Sequence, residues 1–157
     1  MAAQAAQKQE KRPGEIGRIK SGVVGLDEIV NGGIPRGNLV VISGDPGSGK
    51  TILCWQFLHE GIVKYNENGV YVSLEETEQS IFEGASEFSW DLKKLVKEGK
   101  LVIITVELYD FERLKAAIED NIKAVNAKRL VIDPGVIFRL FFERELDARK
   151  RIVSLGK

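Results

Sequence analysis

Residues 44–51 of the chain read Gly44-Asp45-Pro46-Gly47-Ser48-Gly49-Lys50-Thr51. The run matches the pattern G-x-x-x-x-G-K-[ST], in which glycines permit unusual backbone dihedrals so that successive N–H groups point at phosphate oxygens. Lys50 supplies a mobile positive charge for the outer phosphates, and the hydroxyl of Thr51 suits Mg²⁺. We therefore expect all eight residues to bind ATP or ADP, with Mg²⁺ at Thr51.

The sequence around this loop predicts alternating strands and helices. The apolar run Leu39–Ile42 before the loop predicts a buried strand, and apolar spacing after it predicts a helix over 51–64. Further strands are predicted at 69–74, 101–106 and 129–133, and further helices at 78–88, 91–98, 111–125 and 143–155. Continuous apolar strands that alternate with helices indicate an α/β fold, with a mainly parallel sheet covered on both faces.

Acidic residues follow two of the predicted strands. Asp133 ends the strand Leu130–Ile132, at the sheet edge where ligands of open α/β sheets bind, so it is a candidate partner for Mg²⁺. Glu75 and Glu76 end another strand, and one of them could polarise an attacking water. Because strand side chains alternate, only one of the two can face the nucleotide. A solvated turn at Asp133 and a solvated acidic pair are the alternatives.

Composition excludes several classes of protein. Lys+Arg and Asp+Glu both number 23 among 157 residues, so net charge gives no support for nucleic-acid binding. One cysteine excludes an internal disulfide, and one cysteine with one histidine cannot form a Cys/His zinc site. No stretch approaches the ~20 apolar residues of a membrane helix. Residues 1–15 indicate a flexible leader without a signal core, so we expect a cytoplasmic protein whose domain spans 16–157.

The segment before the loop resembles the lead-in of RecA-type ATPases, particularly the KaiC-like branch. It runs Ile19-Lys20-Ser21-Gly22-Val23-Val24-Gly25-Leu26-Asp27-Glu28-Ile29-Val30-Asn31-Gly32-Gly33-Ile34-Pro35-Arg36-Gly37. Val72-Ser73-Leu74-Glu75-Glu76-Thr77 is similar to the double-glutamate motif of the branch. Trp90-Asp91-Leu92 with Gly99-Lys100-Leu101 resembles its GWDL…GKL stretch, with Ser89 in place of the first glycine. The motifs occur in the family's order over about 16–157.

This resemblance implies a three-layer P-loop fold that binds ATP and assembles into a ring or filament, with nucleotide at the subunit boundary. It makes Glu75 the water-activating carboxylate, Glu76 its supporting neighbour, and Asp133 the acid of the second Walker motif. Lys50 of the phosphate loop is a further candidate catalytic residue, through its charge on the outer phosphates. Pro134 departs from the Ser or Thr of many relatives.

Family domains continue well beyond residue 157, so the chain resembles a domain that lacks its C-terminal strands. One later strand normally lies between the Leu39–Ile42 strand and the Asp133 strand. We expect a longer protein, closure of the two strands with displacement of Asp133, or another chain in that slot.

Three functions compete with a plain ATPase. A recombinase paralogue would assist DNA repair by nucleotide-dependent DNA binding, and a clock or signalling protein would use ATP for phosphorylation or partner exchange. A non-catalytic nucleotide-binding fragment is the third. The sequence does not choose among them.

Overall fold

The computed structural model describes residues 17–105 and 111–135. The chain begins with a short antiparallel pair, β1 (Arg18–Ile19) and β2 (Ile34–Pro35), on either side of helix α1 (Leu26–Ile29). The remaining elements alternate: α2 (Lys50–Tyr65), β3 (Gly69–Ser73), α3 (Glu78–Ser86), α4 (Leu92–Lys97), β4 (Leu101–Thr105), α5 (Phe111–Ala124) and β5 (Arg129–Asp133). The elements from α2 to β5 confirm the predicted α/β alternation to within a few residues at each end.

The sheet is parallel and has the strand order β4-β3-β5. Tyr71 pairs in register with Val131, and Ser73 pairs with Asp133. Since partners in a parallel pair face the same side, Tyr71, Ser73 and Asp133 all belong to one face of the sheet. Asp133 therefore ends β5 at the carboxyl edge, as predicted.

Apolar residues cover both faces of the sheet. On one face, the core packs against α2, α3 and α4 and contains Trp55, Leu58, Ile62, Tyr71, Ile81, Ala85, Leu92, Leu95, Leu101 and Val131. On the other face, Val70 and Val72 pack against Leu114 and Ile118 of α5. Helices on both faces of a parallel sheet form the three-layer architecture that the sequence predicts.

Local sequence signals explain several helix ends. The Thr77 hydroxyl accepts a hydrogen bond from the Ser80 N–H at 3.2 Å and caps α3, as predicted. Asp91 caps α4 through the Lys94 N–H at 2.8 Å. Gly99 follows α4 with a φ of +68°, a conformation that glycine adopts without strain.

The predicted strand at Leu39–Ile42 is wrong for the described residues. All four side chains are exposed, from 42% for Ile42 to 78% for Val41, and none of the four residues belongs to a strand. A strand requires a partner for its backbone groups, and β5 pairs with β3 but with no other strand that the structure describes. An apolar run alone therefore does not make a strand here.

Among the described residues, β5 has a strand partner on one side only, which bears on the expectation of a strand between Leu39–Ile42 and Asp133. The expectation that these two segments pair directly is wrong for the described part of the chain, because they form no strand pair there. The expected displacement of Asp133 is also not observed, because its Oδ2 lies 2.7 Å from Thr51 Oγ1. The predicted helix 143–155 lies outside the described residues.

Candidate functional site

The glycine-rich loop wraps around the ammonium group of Lys50. Gly47 and Gly49 have φ values of +78° and +85°. Residues with a Cβ rarely adopt such values, so the loop conformation depends on glycine at both positions. The Lys50 Nζ donates to the carbonyl oxygens of Gly44 at 2.9 Å and Asp45 at 2.8 Å. These two hydrogen bonds hold the lysine charge beside the first residues of the loop.

The N-terminus of α2 has no side-chain cap. Gly49 at its N-cap has no side chain to cap the helix, and no acidic residue lies in the first turn of α2. By contrast, α3 and α4 are capped by Thr77 and Asp91. Free N–H groups, a positive helix dipole and Lys50 together make this end a site for anions, phosphate above all.

Thr51 and Asp133 come together although 82 residues separate them in sequence. The Thr51 hydroxyl donates to Asp133 Oδ2 at 2.7 Å, and both groups are half-buried. A hydroxyl and a carboxylate are oxygen ligands of the type that Mg²⁺ prefers. The structure therefore places both predicted metal ligands beside the phosphate loop, where the donor set suits Mg²⁺.

The described residues contain no cluster of three or more His, Cys, Asp or Glu side chains that could hold a metal. This fits Mg²⁺ bound with a nucleotide, since such an ion takes one or two protein oxygens and completes its shell with phosphates and water.

Glu75 and Glu76 follow β3 on an exposed turn. The buried Ser73 hydroxyl accepts from the Glu76 N–H at 3.0 Å and donates to the Glu76 carbonyl at 2.7 Å, which fixes the turn. Partial burial raises the pKa of the Glu76 carboxyl, and the negative charges of Asp133 and then Glu75 raise it further. Ser73, which fixes this turn, pairs in register with Asp133, so the turn begins at the same edge of the sheet as the Thr51–Asp133 pair.

Tyr71 is a component of this region that the sequence analysis missed. Its hydroxyl donates to Asp133 Oδ2 at 3.1 Å, and the residue is 2% exposed. Burial first, and then the Asp133 charge, raise the pKa of Tyr71 well above its ordinary value, so the phenol stays a neutral donor. No local sequence signal indicates this contact, because it depends on the register of β3 against β5.

Cys54 lies near the same carboxylate, one turn after Lys50. Burial and the charge of Asp133 raise the pKa of its thiol to about 12. A thiol with this pKa is protonated at neutral pH and is a poor nucleophile. The sulfur is thus a core group, as the sequence suggested.

Arg129, the first residue of β5, contacts the middle and C-terminal half of α2. Its Nη1 donates to the Phe57 carbonyl at 2.8 Å, while Nε and Nη2 donate to Glu67 Oε2 at 3.0 and 2.8 Å. A Cβ at Gly61 would overlap the Arg129 side chain, so glycine allows this close approach. Since Thr51 begins α2 and Asp133 ends β5, this contact helps align the two elements that carry the site.

Comparison with known proteins gives the family. A profile of the family described as "ATPase: KaiC" matches residues 19–155. The chain belongs to the KaiC ATPase family. Members of this family are nucleotide-binding ATPases with a RecA-type fold.

Individual relatives agree with this assignment. A UPF0273 protein of Methanocaldococcus jannaschii is 37% identical over 157 aligned residues, which cover 89% of this chain and 64% of that protein. The circadian clock oscillator protein KaiC of Synechococcus elongatus is 39% identical over 128 residues, covering 75% of this chain and 25% of that protein. The crystal structure of a KaiC-like protein from Pyrococcus horikoshii superposes with a TM-score of 0.79 at 36% identity, covering 90% of this chain and 68% of that one.

The chain spans 55–64% of the length of two UPF0273 relatives that it matches. No helix in the described ranges is both long enough and apolar enough to cross a membrane.

Proposed function

We propose that this KaiC-family chain binds ATP or ADP together with Mg²⁺ at Gly44–Thr51, and that the protein hydrolyses ATP. One observation carries the proposal: the lysine of the loop, the uncapped start of α2 and the Thr51–Asp133 pair lie at one end of a single helix–strand unit. Each of these features is of a kind that attracts polyphosphate or its cation.

In this proposal, different groups of the site bind different parts of the Mg²⁺–nucleotide complex. Backbone N–H groups of the loop and of the first turn of α2 bind the phosphate oxygens, and Lys50 neutralises charge on the outer phosphates. Thr51 and Asp133 would hold Mg²⁺, which supplies charge neutralisation for the departing phosphate. Asp133 would hold the ion directly or through the Thr51 hydroxyl, from which it accepts a hydrogen bond.

Hydrolysis additionally requires a group that accepts a proton from water as the water attacks the terminal phosphorus. We propose Glu75 for this role, with Glu76 as its supporting neighbour, in keeping with the double-glutamate motif of the family. The backbone of the pair is anchored by Ser73 next to the end of β5. A carboxylate at this carboxyl edge of the sheet can accept this proton and orient the water.

We also propose that the protein acts as a homo-oligomer, a ring or a filament, in the cytoplasm. The support is family membership. No contact among the described residues favours DNA repair or signalling, so both are alternative functions. DNA-stimulated hydrolysis would indicate the first, and autophosphorylation would indicate the second.

Calorimetric titration with ATP tests the binding proposal, with and without Mg²⁺. The wild-type protein should bind one nucleotide per chain, and Lys50→Ala should weaken triphosphate binding by about 2–5 kcal/mol, the cost of removing one member of a desolvated charge pair. Lys64→Ala, a lysine near the other end of α2, is the matched control and should bind like the wild type. Equal affinity of Lys50→Ala and wild type would refute the site.

A further inference from the structure

The buried hydroxyl of Tyr71 has a specific partner. It shares Asp133 Oδ2 with the Thr51 hydroxyl, at 3.1 Å and 2.7 Å respectively. The other carboxylate oxygen, Oδ1, accepts no hydrogen bond from residues in the described ranges. Two hydroxyl donors on one oxygen restrict rotation of a carboxylate more than one donor does, because the oxygen must stay within hydrogen-bond distance of both hydroxyls.

Packing alone does not account for this hydroxyl. The ring of Tyr71 lies in the apolar core with Trp55, Leu58 and Val131, where a phenylalanine would fill the same space. A hydroxyl in such a place loses its hydration and must be compensated by a hydrogen bond. Trp55 Nε1 is near enough to lower the pKa of Tyr71, yet it makes no hydrogen bond of normal geometry within the described residues. The Asp133 carboxylate is therefore the compensating partner.

We propose that Tyr71 is a positioning residue for Mg²⁺–nucleotide binding, which holds the Asp133 carboxylate in the orientation that faces Thr51. This inference rests on the proposed function of the loop. Tyr71 is too deeply buried, at 2% exposure, to be placed in contact with nucleotide, so it acts through Asp133. Groups that orient a metal ligand in this way alter metal affinity by about 10- to 100-fold when they are removed.

The first test compares nucleotide affinity with Mg²⁺ and with EDTA, using a fluorescent ATP analogue. Tyr71→Phe keeps the ring and removes the hydroxyl. We expect its affinity in EDTA to match the wild type, while the gain in affinity that Mg²⁺ confers falls about tenfold. The matched control is Tyr65→Phe, because Tyr65 is 42% exposed and its hydroxyl makes no hydrogen bond within the described part of the chain.

Three results of this titration would have different meanings. If the wild type binds nucleotide and Tyr71→Phe retains the full Mg²⁺-dependent gain, the inference about Tyr71 is wrong and the proposed function stands. If Tyr71→Phe loses affinity equally in EDTA, the hydroxyl supports only the general structure and the inference is also wrong. If the wild type binds no nucleotide under either condition, the proposed function fails and the inference fails with it.

The second test needs no nucleotide. In the free protein, a double-mutant cycle of urea unfolding with Tyr71→Phe and Asp133→Ala measures whether the two side chains interact. In the wild-type background, Tyr71→Phe should lower the ratio of folded to unfolded protein by about tenfold, the size of one hydrogen bond to a charged group. In the Asp133→Ala background the same change should have an effect at least fivefold smaller. Equal effects in both backgrounds would overturn the contact on which the inference depends.

Discussion

Substitution of Arg129 by methionine should destabilise the protein severely. Methionine keeps an unbranched side chain in the same space but removes three hydrogen bonds, two to Glu67 Oε2 and one to the Phe57 carbonyl. The Arg129 side chain is fully buried and that of Glu67 is 13% exposed, so the carboxylate left behind is poorly hydrated. Loss of one partner from a buried ion pair costs about 3–5 kcal/mol.

The lower end of this range is expected, because Glu67 keeps a second ion pair, with Arg36. A loss of about 3 kcal/mol, with a urea m value of about 2 kcal/mol/M, lowers the midpoint of unfolding by about 1.5 M. Urea titration followed by circular dichroism measures this directly.

Arg36→Met is the matched control, since it removes the other arginine from the same carboxylate. The Arg36 side chain is 45% exposed, and exposed ion pairs contribute less than about 1 kcal/mol, so its midpoint should fall by less than about 0.5 M. Equal midpoints for the two variants would show that burial of Arg129 does not govern its contribution. If the midpoint of Arg129→Met falls by less than about 0.5 M, the contacts of Arg129 do not contribute to holding α2 against β5.

Three further outcomes are expected. Glu75→Gln should abolish ATP hydrolysis and spare nucleotide binding in phosphate-release and binding assays, because the amide cannot accept a proton; loss of turnover in Glu76→Gln alone would assign the role to the second glutamate instead. Thr77→Ala should reduce the free energy of unfolding by about 1 kcal/mol through loss of the α3 cap, and an unchanged urea midpoint would contradict this. Because burial raises the Cys54 pKa to about 12, iodoacetamide at pH 8 should alkylate the folded protein on the order of a thousandfold more slowly than the urea-unfolded chain, and comparable rates would show that the thiol is accessible and ionised.

Local signals were sufficient to predict most of the fold. The glycine pattern at Gly44–Thr51 places a loop before a helix, and α2 begins at Lys50 as that pattern requires. Thr77 marked the start of a helix in the sequence, and its hydroxyl makes the expected contact. The position of Asp133 after an apolar strand sufficed to place it at the carboxyl edge, next to Thr51.

Features that depend on distant partners were not predicted. Leu39–Ile42 has the composition of a strand, but pairing requires a neighbour that composition does not reveal. Arg129 is a single charged residue at the start of a strand, and its burial depends on Glu67, 62 residues away, and on the absence of a side chain at Gly61. Tyr71 lies in an apolar run, where nothing local indicates that its hydroxyl meets Asp133.

The most direct test of the nucleotide site is a titration of the ¹⁵N-labelled protein with ATP and Mg²⁺, followed by amide NMR. The largest shifts should occur at the N–H groups of Gly47–Thr51, with smaller shifts at Glu76 and Asp133. Asn66 and Asn68, which lie after α2 and before β3 at the opposite end of the sheet, should not shift. Absence of shifts at Gly47–Thr51 at saturating ATP, or shifts centred elsewhere in the chain, would contradict the assignment of this loop as the nucleotide site.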